Sequence, residues 1–210
     1  MENAAFLYDR LLVQKLKWPS LTFQWLPFRK ETPESTVYHC LYATHSSKQA
    51  PNEHVYIAEV VFPALRSLTA ELTEVQPSSV TTIAKFTHEL EVNKARGAPD
   101  DPALIAARTD EGPVSLFKYG QEFPVHLMEG NLSGGFALEW SQVGILSGDF
   151  AGNAFYWQDP EQAPLVFNYG SEIEDIKIVE PGLAGIVGDN GMLGVWDMRV
   201  GRVAERCQVS

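Results

Sequence analysis

Asp110, Asp149 and Asp189 recur at matching places along this sequence, and three carboxylates in register are the first candidates for chemistry. Such acids could serve catalysis, or they could hold backbone amides in a turn. Each is followed by a glycine that closes a short turn, Gly112, Gly152 and Gly191. Glycine supplies the positive φ that tight turns need, so turn-holding is the stronger reading. The other reactive side chains form no constellation. The five histidines are scattered, and there is no Ser/His/Asp set or phosphate-binding loop. Cys40 and Cys207 make neither a CxxC pair nor a Cys/His cluster. The sequence therefore offers no catalytic residue, no metal site and no cofactor site, and points to a binding protein rather than an enzyme.

The elements that carry these turns repeat. "ALIAARTDEGPVSLFKY" begins at Ala103, "VGILSGDFAGNAFYWQD" at Val143 and "LAGIVGDNGMLGVWDMR" at Leu183. Each is a strand of small apolar residues, an Asp turn ending in Gly, and a strand ending in an aromatic. The aromatics, Phe117, Trp157 and Trp196, lie five residues after the glycine and are 40 and 39 residues apart. A period near 40 built from paired short strands marks a β-propeller blade. Each aromatic is expected to fill the space between neighbouring blades. Ala106, Ala107, Gly148 and Gly188 suit the crowded inner strands.

Three strands, Val37–Thr44, His54–Phe62 and Val80–Phe86, are assigned to a first blade. Inner strands at Glu91–Gly97, Phe136–Trp140 and Glu174–Ile178 open the second, third and fourth, and Arg202–Val209 is the outer strand of the fourth. Leu65, Leu68, Leu72 and Val75 line either a short helix or a long excursion between strands. The leader predicts an amphipathic helix within residues 1–18, stopped by Pro19, and then a strand over 21–26 that has no place in the first blade. Residues 19–210 are assigned to the propeller.

The net charge is −11, from 16 basic and 27 acidic residues. That balance argues against direct nucleic-acid binding, which needs Lys and Arg on phosphates. It is compatible with a basic protein partner, although solubility alone accounts for it equally simply. No apolar run is long enough to span a membrane. Met1-Glu2-Asn3 lacks the basic start of a signal peptide, and two cysteines suit a reducing compartment.

Only Trp196-Asp197 carries the literal dipeptide of WD40 repeats. The leader is more specific. "FLYD", "WPSLT" and "QWLP", followed by "THSS", "NEHVYIAEV" and "HELEVNKAR", resemble the retinoblastoma-associated histone-binding WD40 proteins. That family supplies a small histone-binding subunit to chromatin assembly factor, type B histone acetyltransferase, deacetylase and Polycomb-type methyltransferase complexes. The resemblance implies an all-β, seven-bladed WD40 propeller with an N-terminal α-helix, of which about four blades are present here. It implies that strand 21–26 closes the last blade of the ring, and that the natural protein is longer.

The resemblance also implies partners and sites. Histones and basic peptide tails are the expected partners, with subunits of those chromatin complexes. A nuclear location is expected, with the cytoplasm as a second. The tail site on the top face maps onto His45, Glu91, Asn93, Phe136 and Glu174. Lys17 and Gly134 stand where the family has acids, which lowers the negative charge of that face. A side groove for a histone helix maps onto Phe6, Leu7 and Leu11. The rival reading is a WD40 scaffold outside chromatin, for example in ribosome assembly.

Overall fold

The computed structural model describes residues 12–64, 78–130, 133–200 and 202–208. They form sixteen strands in four antiparallel sheets of four, each a meander in chain order. The first sheet holds β1 (Phe23–Glu31), β2 (Ser35–Ala43), β3 (Glu53–Pro63) and β4 (Ser79–His88). The second holds β5 (Val92–Gly97), β6 (Leu104–Thr109), β7 (Val114–Lys118) and β8 (His126–Met128). The third holds β9 (Leu138–Ser141), β10 (Gly144–Gly148), β11 (Asn153–Trp157) and β12 (Leu165–Asn168). The fourth holds β13 (Ile173–Glu180), β14 (Leu183–Gly188), β15 (Met192–Asp197) and β16 (Arg202–Gln208).

The sheets stack face to face through their first strands. β5 packs on β1, β2 and β3, β9 packs on β5 and β6, and β13 packs on β9 and β10. Three cores fill the three junctions, and each receives one of the repeated aromatics. Phe117 lies with Leu41, Val55, Ile57 and Phe86 between the first two sheets. Trp157 lies with Ala106, Val114 and Met128 between the second and third. Trp196 lies with Ala137, Leu146 and Tyr156 between the third and fourth. All three rings are buried to 1% exposure or less. The recurring aromatic is therefore the wedge that joins each blade to the one before it. The turn glycines hold the positive φ the repeat predicts, 78°, 81° and 68° at Gly112, Gly152 and Gly191.

The structure corrects the reading of the leader. The strand predicted to close a distant blade is β1, the fourth member of the first sheet. It runs antiparallel to β2, with Phe23 opposite Tyr42 and Arg29 opposite Tyr38. Its register shifts between Trp25 and Arg29, where Pro27 has no N–H to give to the ladder. Leu26 is buried in the core shared with the second sheet. Gln24 Oε1 accepts the Gly97 amide at 2.9 Å, and Thr22 Oγ1 accepts the Ala95 amide at 3.0 Å. These bonds fix the leader against β5 and so complete the first blade.

The N-terminal helix is likewise not borne out. Residues 12–18, its described part, contain no helix. Leu12 packs on Cys40, Ala58 and Val60 of the first sheet. That packing supplies the burial an amphipathic helix would otherwise have to find. Phe6, Leu7 and Leu11 lie outside the described residues, as does the stretch with Leu65, Leu68, Leu72 and Val75.

Candidate functional site

In an antiparallel meander, the start of the first strand and the turn between the second and third lie at one end of the sheet. Four stacked meanders therefore gather the β2–β3 loop, the entries to β5, β9 and β13, and the turns after β6, β10 and β14 on a single loop face. His45, Glu91, Phe136 and Glu174 all sit in or next to these segments. So do Asp110, Asp149 and Asp189.

At the junction of the first two sheets, His45 Nδ1 lies 3.7 Å from Glu91 Oε1. The same carboxylate oxygen accepts the Lys48 backbone N–H at 2.6 Å. Lys48 Nζ in turn lies 3.6 Å from Asp110 Oδ2. The β2–β3 loop thus reaches across to the second blade. Ser47 and Lys48 adopt positive φ, 54° and 61°, which non-glycine residues rarely do. The loop is anchored at its base by Glu53, whose carboxylate accepts Thr44 Oγ1 at 2.6 Å and the Ser46 amide at 2.7 Å. Burial pushes the Glu53 pKa up, but the hydrogen bonds from Ser46 and Thr44 outweigh it and hold the carboxyl below its usual range.

Asn93 lies beneath this surface, buried, and its amide donates to Gly135 O at 3.1 Å. In this structure it therefore holds the segment leading into β9. Phe136, on that segment, is 37% exposed and rests edge-on against Phe150 with ring centres 5.3 Å apart. Asp149 holds its turn as the repeat predicts, accepting the Asn153 amide at 2.7 Å. His88 is likewise structural, bonding the Leu90 amide and Ser115 Oγ, each at 2.9 Å.

Glu172, Glu174 and Asp189 form the most concentrated charge on the face, with carboxylate oxygens all within 4.8 Å of one another. It is the one grouping among the described residues with the composition of a cation site, and two of its three members are exposed. Partial desolvation, and then the charges of Asp189 and Glu172, hold the Glu174 pKa above the ordinary glutamate value. For a carboxyl raised in this way, the contribution to folding is greatest at low pH and is lost as pH rises through the raised pKa. A bound cation reverses the balance by favouring the ionised form. The affinity of a cationic peptide is therefore expected to fall as pH drops through the raised Glu174 pKa, with proton uptake when the peptide leaves. Calorimetry in buffers of different ionisation enthalpy reads both effects.

Sequence reading missed Arg108, which lies on a strand otherwise built of small apolar residues. It is buried, donates to Gly112 O at 2.7 Å and also to Ser133 O, and so ties the β6–β7 turn to the entry of β9. Burial pushes its pKa down to about 10, opposed by the charge of Asp149. A lone charged residue within "ALIAART" was the available signal. Two further ion pairs join the inner strands, Lys94 with Asp175, and Lys177 with Glu139 at 2.6 Å.

Four stacked four-stranded meanders, carrying their acids on one loop face, define a WD40-type β-propeller. A family model for the histone-binding protein RBBP4, a component of the CAF1 complex, matches residues 1–64. The chain is also similar to the histone acetyltransferase type B subunit 2 of Schizosaccharomyces pombe, 32% identical over 158 residues. That alignment covers 67% of this chain and 36% of the relative. The chain belongs to the RBBP4-like family of histone-binding WD40 proteins. It spans about a third of the length of the curated relative it matches.

Proposed function

We propose that this chain forms part of a non-catalytic histone-binding subunit that presents histones to nuclear chromatin assembly or chromatin-modifying complexes. In this reading the loop face receives a basic histone tail. The observation that carries it is the carboxylate triad Glu172, Glu174 and Asp189 at the mouth of the fourth blade. It offers several acceptors to one Arg or Lys, and its like charges are relieved when a cation arrives. Glu91 and Asp110 add a second acidic position at the mouth of the second blade, with His45 beside it. Phe136 lies between the two positions along the chain and presents a half-open aromatic to the aliphatic stem or guanidinium of a tail residue.

The family match supports histones as the cationic partner over other basic ligands. The complete protein is expected to bind a histone-tail peptide at micromolar Kd or tighter. Glu174→Ala should weaken that binding about fivefold to tenfold, the range of a partly exposed charge pair. Glu91→Ala should weaken it as well, and should also release the β2–β3 loop by removing the acceptor for the Lys48 amide. Isothermal calorimetry measures both. Unchanged affinity in both variants would remove the loop face as the tail site.

A further inference from the structure

The first sheet has a second feature that the tail-binding reading does not use. On one face of this sheet, Leu41, Val55 and Ile57 form the core with the second blade. On the opposite face lies a cavity of about 510 Å³. Strand register builds its floor, because Tyr42 pairs with Tyr56 and Tyr56 with Lys85 across β2, β3 and β4. The two tyrosine rings stack with centres 5.1 Å apart and 20° between planes. Residues 14–18 form one wall and Ala50, Pro51 and Asn52 contribute to another.

The charge of this cavity is opposite to that of the chain. Lys15, Lys17 and Lys85 line it, and none of its described lining residues is a carboxylate, in a protein of net charge −11. The adjacent Glu53 is turned away, with both oxygens taken by Thr44 and Ser46. His54 also lines the cavity, and its Nδ1 is buried with no hydrogen-bond partner among the described residues. A buried polar atom without a partner is costly unless a ligand or water satisfies it. Burial and the nearby Lys85 charge hold the His54 pKa below the usual histidine range, so at neutral pH its ring is neutral. Trp18 adds a third aromatic, with Lys17 Nζ 6.0 Å from its ring centre.

We infer that this cavity binds an acidic peptide segment of a partner protein, with carboxylates on Lys15, Lys17 and Lys85 and an apolar side chain against Tyr42, Tyr56 and Trp18. The volume lies in the range of sites that enclose a few side chains. Spaced cations around an aromatic floor suit a peptide that alternates acidic and apolar residues better than a single small anion, which would leave the tyrosines uncovered. This surface is separate from the loop-face triad, so one chain could hold a basic tail and an acidic partner at once.

The test uses a fluorescein-labelled peptide of alternating Glu and Leu, titrated by anisotropy against the full chain and against Lys17→Glu/Lys85→Glu. Both lysine side chains are exposed, so the unfolding midpoint should not change, and measuring it checks the fold. The expected result is saturable binding that weakens at least about tenfold in the double variant and also weakens as salt is raised. A second arm competes the peptide with inorganic phosphate, which should displace it only weakly. Absence of saturable binding to the unaltered chain, an unchanged Kd in the double variant, or full displacement by low phosphate would each overturn the assignment.

Discussion

Trp157→Ala is expected to lower the thermal unfolding midpoint by roughly 6–20 °C, the consequence of losing about 3–5 kcal/mol. Trp157 is 1% exposed and sits in the junction between the second and third blades. Its ring stacks on Phe155 at 5.7 Å, and its Nε1 donates to Glu129 O at 3.3 Å. Truncation therefore removes a large buried area, leaves a cavity between two sheets, and deprives Glu129 of a donor. The comparison that gives this number meaning is Trp25→Ala. Trp25 is 50% exposed on the first blade and touches Phe23 and Tyr38 at its surface. Its loss should shift the midpoint much less. Calorimetric melts of the two variants decide the matter. Equal shifts would mean that the repeated aromatic is not the wedge between blades.

Gly134→Asp is expected to destabilise the chain by about 3 kcal/mol and lower the midpoint by roughly 6–12 °C, without strengthening tail binding. The sequence comparison alone invites the opposite guess, because the family carries an acid at this position. The geometry explains the glycine. A Cβ at residue 134 would lie 1.7 Å from Asp110 O and 2.7 Å from Glu111 N, both backbone atoms. The segment lies this close because it bridges directly to the β6–β7 turn, with Ser133 paired to Glu111 and the Gly135 amide bonded to Thr109 O at 3.0 Å. Arg108 clamps the same contact from beneath. An added side chain must push the turn that carries Asp110 away from Lys48. A variant with a normal melt and tighter peptide binding would show that the turn yields freely, and that the loop face lacks only charge.

The repeats were the most legible part of the sequence, for a physical reason. The Asp-to-Gly turn and the aromatic five residues later report local conformation and a neighbouring surface, and neither depends on distant chain. The leader was harder. Residues 21–26 read correctly as a strand, but pairing partners are nonlocal, and nothing in "LTFQWL" distinguishes the first blade from the last. What decides it is Gln24 on Gly97 and Thr22 on Ala95, contacts across more than 70 residues. The helix expected within residues 1–18 rested on periodicity alone. Its described part instead spends Leu12 on the first sheet, so tertiary packing overrode the local pattern.

The site was legible in the same uneven way. His45 and Glu91 were both named from motifs, and the structure brings them within 3.7 Å. Asn93 was named with them, but alternation along β5 turns it inward to Gly135. Lys48 was not anticipated. Its link to Glu91 runs through the backbone N–H, so no side-chain pattern could announce it. Asp189 was read as a turn residue only, and the fold places it beside Glu172 and Glu174.

The central claim is that the acids on the loop face receive a basic histone tail. It is tested most directly by titrating the isotope-labelled chain with a histone-tail peptide and following backbone amide NMR shifts. The account predicts saturable shifts concentrated at residues 45–48, 89–93, 110–112 and 134–136, and most strongly at 172–174 and 189–191. Shifts that saturate elsewhere, on the outer strands or in the lysine-lined cavity of the first blade, with the loop-face amides unmoved, would contradict it.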